Sequence, residues 1–153
     1  MKLFQIEEPD GAAVDPDAPG VAVGIDLSGV QAEVAVAVGG NALVLHDRDG
    51  FERDLPVPLA NGPNGAWQLL LEGAKLRAER ALGQPVTHAV MVVAVGPEPG
   101  VATQLLTAAE AAGLTLLRIV SRDTLRSESD PAELPVLAAA ILAEDLAPRP
   151  TAN

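Results

Sequence analysis

The chain has 153 residues, 48% of them apolar and only 2% aromatic, and a formal net charge of −11. That length fits one domain with one core built from Val, Leu, Ile and Ala. The charge disfavours phosphate backbones and anionic membranes, and the absence of cysteine removes disulfides, thiolate chemistry and Cys-held zinc or iron–sulfur clusters.

Residues 1–20 read as a flexible leader. Leu3 to Ile6 is a short apolar patch, and Pro9 to Gly20 is rich in Pro, Asp, Gly and Ala. Met1 to Asp10 lacks the basic-then-apolar order of a signal peptide, and no run reaches the roughly 20 apolar residues of a membrane span. A soluble, cytoplasmic protein is expected.

Val21 to Asp26, Glu33 to Val38 and Ala42 to Asp47 read as three strands, the last two joined at the Gly39-Gly40-Asn41 turn. Phe51 to Asn64 contains Pro56, Pro58 and Pro63 and cannot be regular helix. Ala66 to Leu82 has helical apolar spacing and stops at Gly83 and Pro85. His88 to Val95 is a nearly continuous apolar run, suited to a central strand covered on both faces.

Val101 to Ala112 predicts a helix closed by Gly113, and Leu114 to Val120 the next strand. Asp130-Pro131-Ala132-Glu133 carries the marks of a helix start, with Pro135 able to delay it; the helix runs to about Leu146, and Pro148 opens a tail over 148–153. The order is β-β-β-α-β-α-β-α, with antiparallel strands first and parallel ones later. It implies an α/β domain over 21–147 with a mixed sheet and helices on both faces, the order of a ribonuclease-H-like or actin-like ATPase lobe.

Gly24-Ile25-Asp26-Leu27, followed by the Val34-Ala35-Val36 strand, resembles the first phosphate motif of DnaK-type chaperones. His88 to Leu114, with its closing Ala112-Gly113-Leu114, and Leu117-Arg118-Ile119-Val120 are similar to that family's next strand, helix and strand. Leu3-Phe4-Gln5-Ile6-Glu7-Glu8-Pro9 resembles the start of the specialised chaperone of bacterial iron–sulfur cluster assembly, and Gly39-Gly40 to Leu55-Pro56 follows its hairpin. The likeness spans roughly Leu3 to Leu125. It implies the first lobe of an ATPase, with Gly24, Asp26, Ser28 and Gly29 as the cofactor-binding positions for ATP phosphates and magnesium.

The departures from that family point away from catalysis. The family's Gly-Thr-Thr-Asn turn is Ser28-Gly29-Val30-Gln31 here, so an isopropyl group replaces a phosphate-binding hydroxyl. Its Asn-Glu-Pro-Thr is Ser121-Arg122-Asp123-Thr124, which puts a cation where a carboxylate belongs. Its Val-Pro-Ala-Tyr-Phe strand end is Val93-Ala94-Val95-Gly96-Pro97. Leu59 to Asn64 is too short for the inserted subdomain with the family's catalytic Lys, and nothing corresponds to the second phosphate motif or the peptide-binding domain.

Single residues admit competing readings. Asp26 either holds magnesium-bound water beside phosphate or caps neighbouring N–H groups at a strand end. Asp26, Glu98, Asp123 and Asp145 form a carboxylate set that a two-metal nuclease would use, but His88 to Val95 carries no acid. His46 and His88 read as strand-edge residues rather than metal ligands, Trp67 as a core anchor, and Gly96 to Gly100 as a rigid turn.

The leading expectation is a non-enzymatic, DnaK-type chaperone-like pseudo-ATPase. It would serve as a protein-binding or scaffold module in iron–sulfur cluster assembly, with no catalytic residues, no metal and at most vestigial ATP and magnesium. A protein partner or a second copy is expected at the former nucleotide face, where the strands end near Asp26, Gly96 and Ser121, unless the final helix folds over it. Two alternatives are a nucleotide-binding protein that completes its cleft by dimerising and a metal-dependent ribonuclease-H-like nuclease. No nucleic acid and no membrane are expected as partners.

Overall fold

A computed structural model describes residues 20–46, 55–58, 64–94, 99–128 and 134–147. Residues 1–19, the Gly96-Pro97-Glu98 segment, the Asp130–Glu133 helix start and the 148–153 tail lie outside them. The chain forms strands β1 (Val21–Asp26), β2 (Glu33–Val38), β3 (Asn41–Val44), β4 (Val86–Val93) and β5 (Thr115–Ser121). The helices are α1 (Asn64–Leu82), α2 (Pro99–Ala112), α3 (Arg122–Glu128) and α4 (Pro135–Leu146).

The five strands make one open mixed sheet in the order β3-β2-β1-β4-β5. β1, β2 and β3 pair antiparallel, while β4 runs parallel to both β1 and β5. The tight β2–β3 connection rests on Gly39 and Gly40, both at positive φ (61° and 83°), the backbone that a two-residue hairpin demands. The parallel pairs need crossovers, and α1 and α2 supply them.

Glycines also stop these helices. At the end of α1 the Gly83 N–H donates to the Glu79 carbonyl at 2.8 Å. At the end of α2 the Gly113 N–H donates to Glu110 and the Leu114 N–H to Ala109, a Schellman pair that turns the chain straight into β5. α3 departs from the expected order. Ser121 ends β5 and its Oγ accepts the Thr124 N–H at 3.2 Å, so it acts as an N-cap. The chain therefore turns from β5 directly into a helix. α4 begins at Pro135, because Leu134 before it is held extended (φ −65°, ψ 141°).

Alternation along the strands sorts the core into two faces. Val23 and Ile25 of β1, Val34 and Val36 of β2, and Ala89 and Met91 of β4 meet Trp67, Leu70, Leu71 and Leu105 of α1 and α2. On the other face Ala22, Val90 and Val92 meet Ala138, Ala139 and Ala143 of α4, while Ala35 and Ala37 meet Val136 and Ala140. Among the described residues, no helix is long and apolar enough to cross a membrane.

Candidate functional site at the end of the first strand

Asp26 follows Ala22 and Gly24 in the row of β1 residues facing α4, and it is buried. Its Oδ1 accepts the Ser28 N–H at 2.8 Å and the Ser28 hydroxyl at 2.5 Å. A short polar side chain bonding two residues ahead folds the backbone into an Asx turn. Leu27 ties the same strand end to β4 through its N–H and the Val92 carbonyl at 2.7 Å. One oxygen of the carboxylate is thus engaged within its own turn.

Beyond Asp26 the chain comes out to solvent. Ser28 is half-buried, Gly29 is exposed, and the Val30 side chain is 85% exposed. The turn is stitched to residues 55–58: Gln31 Oε1 accepts the Leu55 N–H at 2.9 Å, the Ala32 N–H reaches the Leu55 carbonyl, and the Val57 N–H reaches the Val30 carbonyl. Next to it, Pro56, Val57 and Pro58 face Ala66 and Leu69 of α1 across an apolar groove of about 400 Å³. Leu69, on its rim, is 70% exposed.

Gly24 has a different neighbour. A Cβ there would lie 2.5 Å from the Ala140 N and 2.7 Å from the Ala139 carbonyl carbon, so α4 rests directly on the backbone of β1. The approach over Gly24 is filled by helix. Of the cofactor-binding positions expected from the sequence, Asp26 is buried in its own turn, and Ser28 and Gly29 remain at the surface.

The register brings other strand ends to the same rim. Asp26 pairs with Val92, and Val93 pairs with Ser121. Two strand spacings separate the ends of β1 and β5, about 10 Å. Ser121 and the half-buried Arg122 therefore sit at the same end of the sheet as Asp26, with Ser121 used in capping α3.

Of the carboxylate set, Glu98 lies outside the described residues, and the other members do not assemble. Asp123 is exposed on α3 and Asp145 is exposed on α4, and among the described residues no three His, Asp or Glu side chains converge in a metal-holding group. His46 is exposed beyond β3. His88 is half-buried on β4, its Nδ1 2.6 Å from Thr87 Oγ1, and burial holds its pKa below the ordinary value. Trp67 is buried in the core, with its indole N–H unpaired among the described residues.

Two tethers had no signal in the sequence. Glu144 of α4 accepts the Gly39 N–H at 2.6 Å and the Gly40 N–H at 2.9 Å, so one carboxylate grips both amides of the hairpin turn. Glu79 of α1 accepts from Lys75 at 2.9 Å and from the Val86 N–H at 2.9 Å, fixing the start of β4 to the helix before it. Positive φ at Gly39 and Gly40 aims successive N–H groups to one side, an anion-seeking arrangement that Glu144 fills. No family model matches the chain, and no curated protein matches it.

Proposed function

We propose that this chain is a non-catalytic binding domain, a relative of the first lobe of DnaK-type, actin-like ATPases. The observation that carries the reading is the state of the Asp26 turn. One of its carboxylate oxygens is held by Ser28, and the exposed position beside it offers hydrocarbon from Val30 instead of a hydroxyl. Phosphate transfer needs preorganised donors and cations at the reacting group, and this turn offers little of either.

Three further features support it. The sheet order, antiparallel on one side and parallel on the other with helices on both faces, is compatible with a ribonuclease-H-like lobe. In two-lobed architectures of this kind the ligand lies between the lobes, so the Asp26 end of this lobe is the half-site that a ligand or partner would meet. The rim around Asp26 carries Val30 and Leu69 exposed next to an apolar groove, a surface better suited to a protein than to a nucleotide. The likeness of Leu3 to Pro9 to the iron–sulfur assembly chaperone extends the reading to a scaffold role in that pathway, in the cytoplasm.

Calorimetry with Mg-ATP, alongside steady-state phosphate release, tests the proposal. The expected result is no saturable heat and no turnover. A micromolar dissociation constant, about −8 kcal/mol, or turnover abolished by Asp26→Asn, overturns it in favour of a nucleotide-binding or hydrolytic domain.

A further inference from the structure

β3 is the outermost strand of the sheet, and among the described residues nothing pairs with its free edge. The hairpin fixes which groups point outward. Val38 pairs with Asn41, Ala37 with Ala42, Val36 with Leu43 and Ala35 with Val44, and the Leu45 N–H donates to the Val34 carbonyl at 2.8 Å. Hydrogen-bonded and non-hydrogen-bonded pairs alternate along an antiparallel ladder. Asn41, Leu43 and Leu45 therefore turn their backbone groups toward β2, and Ala42 and Val44 turn theirs to the open edge.

Side chains alternate in the same way. Ala42 and Val44 pack with Leu137 and Ile141 around the small core beneath α4. Leu43 is on the opposite face and 58% exposed, and Val38, two residues past its pair on β2, is 71% exposed on that same face. The edge Asn41-Ala42-Leu43-Val44 carries no charge and no proline, and its ladder has no bulge. Those are the devices that commonly keep an edge strand from pairing.

We propose that β3 is a self-association edge, through which two copies of this chain pair antiparallel about a two-fold axis at Leu43. Ala42 and Val44 flank Leu43 symmetrically, so in this register the N–H and C=O of Ala42 meet those of the partner's Val44, and those of Val44 meet the partner's Ala42. The axis sets Leu43 against the partner's Leu43 at a non-hydrogen-bonded position, where facing side chains come closest. A second copy satisfies the free backbone groups in register and places no charge against a like charge within the seam. The strand itself offers no charged side chain that would select a charged peptide instead. The seam is short, which fits a weak dimer that depends on concentration, and the net charge of −11 on each copy makes it tighten as salt is added. This surface is separate from the Asp26 rim, and the inference stands or falls independently of the binding role proposed there.

Sedimentation velocity from low micromolar to near-millimolar protein tests it, with amide hydrogen exchange at both extremes. The native chain is expected to shift from monomer to dimer, with added protection at the Ala42 and Val44 amides and none at Leu43, which is already bonded to β2. Leu43→Lys and Leu43→Asp each place like charges across the axis and are expected to weaken the dimer at least tenfold, with thermal unfolding by circular dichroism confirming the fold. Mixing the two variants is expected to restore association above that of either alone, because only then does lysine face aspartate. A native chain that stays monomeric throughout, a dimer that Leu43→Lys leaves intact, or a mixture that associates no better than its parts overturns the proposal.

Discussion

On the side of α1 and α2 the sheet is covered by Trp67, Leu70, Leu71 and Leu105, set against Val23, Ile25 and Met91. On the side of α4 it is covered by Ala138, Ala139, Ala140 and Ala143, set against Ala22, Gly24, Ala35 and Ala37. The first face gains its stability from apolar area, about 1.5–3 kcal/mol for each large side chain fully buried. Where α4 crosses β1 and β2, the second gains less area per residue, with Val136, Val90 and Val92 buried beside the crossing, and it brings helix and strand backbones close together. The first face should therefore suffer from lost volume and the second from added volume.

The largest effect is expected from Leu71→Ala, at a fully buried position of α1. Emptying it should cost about 2–5 kcal/mol, read as a shift of the urea unfolding midpoint. A loss under 1 kcal/mol would mean that this face can collapse around a cavity. Gly24→Ala is next. One methyl group there meets backbone atoms of α4 at 2.5–2.7 Å, which cannot rotate aside. The expected loss is about 1–3 kcal/mol, with faster hydrogen exchange across α4 but not α1. Unchanged exchange in α4 would show that the helix is not held by this contact.

Glu144→Ala sharpens the comparison further, because it removes a polar tether from the close-packed face without opening a cavity in its buried core. The Gly39 and Gly40 amides would lose their acceptor. We expect about 0.5–1.5 kcal/mol and a local rise in exchange at those two amides. An effect spread evenly over the domain would point to general destabilisation instead.

The smallest effect is in the pH profile. Burial depresses the pKa of His88. Burial pushes Glu79 up, but its hydrogen bonds from Lys75 and the Val86 N–H, with the Lys75 charge, outweigh this and hold it below the ordinary value. In both cases the unfolded chain binds protons before the folded one. The stability that these two groups contribute is therefore full above the ordinary histidine value of 6.5, begins to fall as pH drops through it, and falls again below 4.5 as Glu79 titrates. Unfolding midpoints against pH should lose the upper step in His88→Gln and the lower one in Glu79→Gln. A profile unchanged by both substitutions would assign the pH dependence to other groups.

Local chemistry was legible in the chain itself. β1 and β2 fall where their apolar runs begin and end, and α1 and α2 stop at the glycines whose positive φ closes them. Boundaries moved where a neighbour decided them. β4 starts at Val86, two residues before the predicted run, because Glu79 anchors the Val86 N–H. α3 is absent from the expected order because the resemblance matches Ser121-Arg122-Asp123-Thr124 to the family's Asn-Glu-Pro-Thr, although Ser at an N-cap with Asp in the first turn is a helix signal in its own right. The resemblance assigns Gly24 to phosphate binding. Its packing role needed α4, more than a hundred residues along the chain, and only the alanine run at 138–140 hinted that some backbone had to come close. The Glu144 grip on the hairpin, 105 residues apart at Gly39, left no local trace.

That grip bears on how the protein comes off the ribosome. Strands β1 to β5 and the helices on one face can assemble as they emerge, since domains tend to fold in the order of synthesis. The opposite face, with Ala22, Gly24, Ala35 and Ala37, has no cover until 135–146 has been made and has reached back to the turn laid down at the start. A nascent chain stalled before Pro135 would hold the sheet with Ala22, Gly24, Ala35 and Ala37 still lacking the cover of α4. Closure of that side therefore waits for α4, whose Glu144 carboxylate returns to the first hairpin.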